Sequence, residues 1–240
     1  MSKSLVRIAL GGFGLALAFF VLAYVFSGNS FRFLSQMTGE KPAGIGPGVR
    51  EWAWTGGDRL DIDMPATVTL VPGSPRVVVH GDNGALNSVL FDDKRLALSD
   101  DYQSGLGEDD NLKVTLQGIT LRHIVLGGAG KVALGHVDQD RLSIHISGAG
   151  SVSGEGHVGD LEIDVSGAGS AKLGALAADR AEIRISGAGN ATIAPRDRAR
   201  VDISGVGHVR LTTRPKALDT HISGFGNVTG PDGQRVTGGE

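Results

Sequence analysis

The chain has 240 residues, 38 of them glycine and none cysteine, with a formal charge of −3 and a pI near 6.2. Without cysteine there is no disulfide, no lipid-modified thiol and no thiolate metal site. The slightly acidic balance gives no basic footprint for nucleic acid.

Lys3 and Arg7 precede an uncharged apolar run from Ile8 to Phe26. That run approaches the roughly 20 residues that span a bilayer and exceeds the core of most cleaved signal peptides. Basic residues ahead of it orient the N-terminus toward the cytoplasm. Residues 1–7 are therefore expected as a short cytoplasmic end and residues 8–27 as a transmembrane signal anchor, with cleavage after Ser27 as the alternative. The remainder is expected in the cell envelope: a single-pass inner-membrane protein with its C-terminal domain in the periplasm, or an exported one if the signal is cleaved. Residues 28–50 carry Gly39-Glu-Lys-Pro-Ala-Gly-Ile-Gly-Pro-Gly48 and read as a linker.

Over residues 51–120, Leu60, Ile62 and Met64 alternate, as do Val68 and Leu70. Val77–Val79, Leu96–Leu98 and Leu112–Leu116 read as further strands. The expectation is a set of irregular first coils that cap the C-terminal half, because an open sheet end exposes unpaired backbone groups. Trp52 and Trp54 face one side of an extended segment, where they close the core or offer a stacking platform for sugar rings. Gly105 to Asn111, with Glu108, Asp109 and Asp110, reads as an exposed acidic loop.

Residues 121–230 repeat. A small-residue corner recurs every 18 to 20 residues: Gly127-Gly-Ala-Gly, then Ser-Gly-Ala-Gly at 147, 166 and 186, Ser204-Gly-Val-Gly and Ser223-Gly-Phe-Gly. Such a period marks a solenoid. Apolar residues one and three places before each corner alternate with polar ones, as in Ile144/Ile146, Ile163/Val165 and Ile183/Ile185. After the corner Val132/Leu134, Ala171/Leu173 and Val209/Leu211 do the same, and Val137, Val158 and Leu176 mark a third side. The pattern predicts an all-β parallel β-helix of about 19 residues per coil, stacked about 4.8 Å apart. Corner glycines are expected to take positive φ. The intervening Ala is expected to tuck under the corner, and Phe225 to cover the open core at the far end. Residues 231–240 read as a polar tail.

Stacking would align outward residues into ladders. Two places before the corner these are Val125, His145, Asp164, Arg184, Asp202 and His221; four places before it, His123, Ser143, Glu162, Glu182, Arg200 and Asp219. Arg184 is expected between Asp164 and Asp202, and Arg200 between Glu182 and Asp219. The columns are either a solvated face with alternating charges or a binding face for glycans or an envelope protein. The corner serines are expected to hydrogen-bond the turn; five equivalent serines argue for geometry over nucleophilic catalysis.

Asp58-Arg-Leu-Asp-Ile-Asp-Met-Pro, Val77-Val-Val-His-Gly-Asp and the repeated Ile-Ser-Gly-Ala-Gly corners, as in Ile185-Ser-Gly-Ala-Gly-Asn-Ala-Thr-Ile193, resemble the bacterial auto-transporter adhesin family, head GIN domain, over residues 51–228. The resemblance implies a right-handed β-helical fold in an envelope protein and brings no catalytic residues with it. The tidy alanine corners and the single anchor depart from the family's pattern and bear on surface display.

For a glycoside hydrolase, Asp164/Asp202 or Glu162/Glu182 would be the carboxylate pair, at about 5–10 Å, a spacing that any ladder produces. His145 and His221 lie too far apart to share an ion, and no phosphate loop or calcium nonapeptide is present. The expected function is a non-enzymatic, envelope-anchored adhesin-like binding or scaffolding module without cofactor. The alternatives are a β-helical polysaccharide-acting enzyme and an envelope sensor with a membrane partner.

Overall fold

A computed structural model describes residues 48–99 and 112–236. The expected cytoplasmic end, the span 8–27, most of the linker and the acidic loop lie outside these residues. Among the described residues no helix is long and apolar enough to cross a membrane.

The repeat folds as the periodicity requires: a parallel β-solenoid of about six turns, about 19 residues each. Each turn is one long bent strand. These are β9 (Lys131–Ile146), β10 (Ser151–Val165), β11 (Ser170–Ile185) and β12 (Ala188–Ile203), followed by the shorter β13 (Val206–Leu211), β14 (Ala217–Ile222) and β15 (Phe225–Thr229). Inward alternation stacks like on like. Ile144, Ile163, Ile183 and Val201 are successive register partners and are fully buried. The third apolar mark also points inward, with Val158 and Leu176 fully buried. No polar or charged side chain is buried among the described residues, so the rod is held by aliphatic packing and the backbone ladder.

The N-terminal part is threaded out of sequence order. Strands β2 (Arg59–Asp63) and β3 (Ala66–Val71) form a rung that pairs in parallel with β8 (His123–Leu126) and β9. The chain then runs past that rung. Strands β6 (Arg95–Leu98) and β7 (Leu112–Gln117) pair in parallel with the other edges of β2 and β3. The end is finished in antiparallel fashion, by β4 (Arg76–His80) on β7, β1 (Val49–Ala53) on β4, and β5 (Val89–Asp92) on β6. A short helix α1 (Asn83–Asn87), which no periodicity announced, is N-capped by Asp82, whose carboxylate accepts from the Gly84 amide at 3.0 Å. The strands expected around Val77–Val79, Leu96–Leu98 and Leu112–Leu116 are present.

The corners depart from expectation in three ways. None of their glycines has positive φ; that conformation falls elsewhere, as at Gly156 with φ +113°. Glycine is needed at Gly187 because a Cβ would sit 2.1 Å from the Gly167 carbonyl oxygen and 2.3 Å from that of Ser166, on the preceding rung. The middle residue points outward: Ala129, Ala149, Ala168 and Ala188 are exposed or half-exposed, Val206 is 57% exposed and Phe225 82%. Phe225 therefore covers no core. It is the second glycine, such as Gly189, that faces inward, where it leaves room for Val165 below. Finally, the turn is joined through backbone and not through the corner serine hydroxyls. The Ser186 and Gly187 amides both donate to the Val165 carbonyl, at 3.0 and 3.2 Å. Because its ring is exposed, Phe225→Ala is expected to change stability by less than about 0.5 kcal/mol, measured by urea denaturation. A core cap would lose several times that.

The far end is closed by the tail instead. Residues 230–236 fold back, with Thr229 bridging Arg235, the Val236 amide donating to the Val228 carbonyl at 2.9 Å, and Arg214 paired to Asp232 at 2.6 Å.

Candidate functional site

Rung stacking brings the predicted ladder residues together. His145, Asp164, Arg184, Asp202 and His221 are consecutive register partners on β9 to β12 and β14. Ser143, Glu162, Glu182, Arg200 and Asp219 form the second column beside them. A third polar column, Arg141, Asp160, Arg180 and Arg198, borders these two. The face is thus three outward columns wide.

Its ion pairs run differently from the vertical alternation expected. Arg184 lies in register between Asp164 and Asp202 but donates sideways, to Glu162 at 3.0 Å and to Glu182. Arg200 likewise turns to Asp202 at 3.0 Å instead of bridging Glu182 and Asp219. Asp164 is left with His145 at 3.8 Å. The reason is strand geometry. A side chain two residues along its own strand is within reach of a long guanidinium, which can also cross to the adjacent rung. The adjacent carboxylates Glu162 and Glu182 tolerate each other because one guanidinium serves both.

In the bordering column the Arg180 hydrogen bond, aided by the charges of Arg180 and Arg141, holds Asp160 below the usual carboxylate range against the opposing effect of burial. A hydrogen bond from Lys216 lowers Asp197 in the same way, and for Asp232 the Gln234 amide leads. A carboxylate whose folded pKa is depressed contributes stability above its unfolded value, and loses it as pH falls through the folded value. The melting temperature is therefore expected to be flat from neutral pH down to about 4 and to fall below it. Asp160→Asn should shallow that acid slope, as read by calorimetry across a pH series.

Between Asp140 and Asp179 the chain carries Gly159, an interruption that periodicity alone does not flag. A notch of about 460 Å³ opens there, lined by Arg122, Asp138, Asp140, His157 and Asp179 among others. His157 Nε2 lies 3.1 Å from Asp179 Oδ1. The signal available in the sequence was the missing side chain in an otherwise charged turn column. Among the described residues no group of three or more His, Asp or Glu could hold a metal ion.

Trp52 and Trp54 do share a side, and both pack on Phe91, with ring centroids 5.7 and 6.1 Å away. Arg50 lies over Trp52 at 5.0 Å, and the Trp54 indole donates to the Gly57 carbonyl at 3.0 Å. Both rings are half-buried and pack against the core.

The solenoid is similar to solved structures from several bacteria. A "putative adhesin" from Bacteroides fragilis NCTC 9343 aligns at 19% identity and TM-score 0.60, over 76% of this chain and 95% of its own. A "putative adhesin" and a "Putative lipid binding protein" from Parabacteroides distasonis ATCC 8503 align at 15% identity, with TM-scores 0.43 and 0.42. They cover 76% and 77% of this chain and 95% and 96% of their own. No curated protein sequence matches the chain. The family model described as "Putative auto-transporter adhesin, head GIN domain" matches residues 58–215, from the strand that opens the first rung to the turn before the last, and the chain belongs to that family.

Proposed function

We propose that the chain is a non-enzymatic, adhesin-like binding or scaffolding module held at the cell envelope by residues 8–27, its solenoid winding right-handed as parallel β connections nearly always do. The observation that carries this reading is the ladder face. His145, Asp164, Arg184, Asp202, His221, Glu162, Glu182 and Arg200 stand in register on a rigid sheet, half-exposed to exposed, with their ion pairs at the surface. Exposed pairs of this kind contribute about 0–1 kcal/mol each to stability, so they are available for exchange with a ligand's charges and hydroxyls. Adhesin names among relatives of the same fold support the same class. Partners of matching chemistry are envelope glycans or an envelope protein.

The test uses the full chain in nonionic detergent against a glycan array and an envelope extract. A variant with Asp164→Arg, Arg184→Glu and Arg200→Glu serves as control. Capture that the control loses is the expected result. Equal capture by both proteins, or none by either, removes the ladder face from consideration. Protease digestion from the periplasmic side should remove the solenoid and spare the anchor; protection of the whole chain would place it elsewhere.

A further inference from the structure

Past the corner lies a second outward face, built on the long sheet β7-β3-β9-β10-β11-β12-β13-β15. Its two outward columns are in register across all eight strands. One runs Lys113, Thr67, Lys131, Ser151, Ser170, Asn190, His208, Asn227, and its neighbour runs from Thr115 to Thr229. Neither column contains a carboxylate; the nearest along β10, Glu155, lies beyond the register shift after Ser153. Four long cations project from the two columns: Lys113 on β7, Lys131 on β9, Lys172 on β11 and Arg210 on β13. All four are exposed, and none makes an ion pair among the described residues, whereas Arg184, Arg200 and Arg180 on the ladder face are all paired.

Their spacing is regular. Each cation is two strands from the next, about 10 Å along the rod, with a sideways step of two residues between Lys131 and Lys172, so the four span about 29 Å along the rod. Between them stand hydroxyl and amide side chains, and no aromatic ring other than the His208 imidazole. The charges therefore form two pairs, Lys113 with Lys131 in one column and Lys172 with Arg210 in its neighbour, in a field of short hydrogen-bonding groups.

We infer that this face binds an extended acidic polysaccharide whose carboxylates recur about once per two sugars, with the chain lying across the strands. Charge complementarity selects an anion, because the four unpaired cations stand in two columns that contain no carboxylate. Regular wide spacing selects a sparse polyanion. A nucleic-acid strand presents a charge about every 3.4 Å and calls for a platform of stacking aromatics, which this face does not have. A lipid surface would call for apolar side chains spread among the cations, whereas the exposed ones on this sheet, Val206 and Phe225, stand together at its far end on the corner side of the two columns. Serine, threonine and asparagine suit sugar hydroxyls.

The experiment measures binding of the full chain, in nonionic detergent, to hyaluronan, which carries one carboxylate per disaccharide. Neutral dextran, oligothymidylate and phosphatidylglycerol vesicles are the comparison probes. Expected are binding to hyaluronan that weakens as salt rises, none to dextran, and weaker binding to the other two. Lys131→Gln, Lys172→Gln and Arg210→Gln together should reduce hyaluronan binding about tenfold or more without moving the melting temperature. Arg141→Gln with Arg198→Gln, in the column that borders the ladder face, should leave it unchanged. Absent hyaluronan binding, binding that survives the triple substitution, or equal loss in the ladder variant overturns the inference. Tighter binding of oligothymidylate or vesicles overturns the polysaccharide assignment. The ladder face can fail its own test while this one passes, since the substitutions that disable each face do not overlap.

Discussion

Gly187→Ala is expected to destabilise the solenoid by about 3 kcal/mol or more, which for a domain of this size lowers the melting temperature by roughly 6–12 °C. The added methyl would lie 2.1 and 2.3 Å from two carbonyl oxygens of the preceding corner. Both are backbone atoms of a rung already joined to its own neighbour, so neither can turn away as a side chain would. The Gly187 amide must also stay within reach of the Val165 carbonyl, 3.2 Å away. Relief requires rungs to separate along the rod, breaking the register that aligns the core. Asp164→Ala on the same sheet removes only a half-exposed partner of His145 at 3.8 Å and should cost at most about 1 kcal/mol. Equal melting temperatures for the two variants would mean that the corner is not packed this tightly. Because the native φ is not positive, the damage comes from contact between rungs; Gly156→Ala suffers both, with φ +113° and a Cβ 2.1 Å from the Val137 carbonyl oxygen.

Ile163→Ala should cost about 4 kcal/mol, toward the upper end of the range for such truncations. Ile163 is fully buried, with Ile144 on one side and Ile183 on the other, each in register. The size of the loss depends on how far the surroundings can collapse into the space. Here they cannot move far, because the neighbouring rungs are held at about 4.8 Å by the backbone ladder above and below. Chemical denaturation at constant m-value would measure it. A loss under about 1 kcal/mol would indicate a core that relaxes freely, at odds with an in-register stack.

The repeated part was legible because period and alternation are local. Corners 18 to 20 residues apart specify which residues stack, so the columns through His145 and Ser143 can be written down from spacing alone. Ion-pair directions were not legible, since Arg184 can reach along its strand or across to the next, and both choices satisfy the same register. Phe225 was misplaced for a related reason. Alternation is interrupted at a corner, and only the backbone path decides that the third residue points out while the fourth points in.

Sequence alone determined the solenoid, its residues per turn and the membership of the ladder face, because each comes from spacing repeated along one chain. Only the tertiary structure decided that β6 and β7 stack ahead of a rung that precedes them in the chain. That placement puts Lys113 in one column with Lys131, beside the column of Lys172 and Arg210. No periodicity encodes it, because the pairing joins segments with different motifs, and burial of their aliphatic faces at an otherwise open sheet edge selects the order.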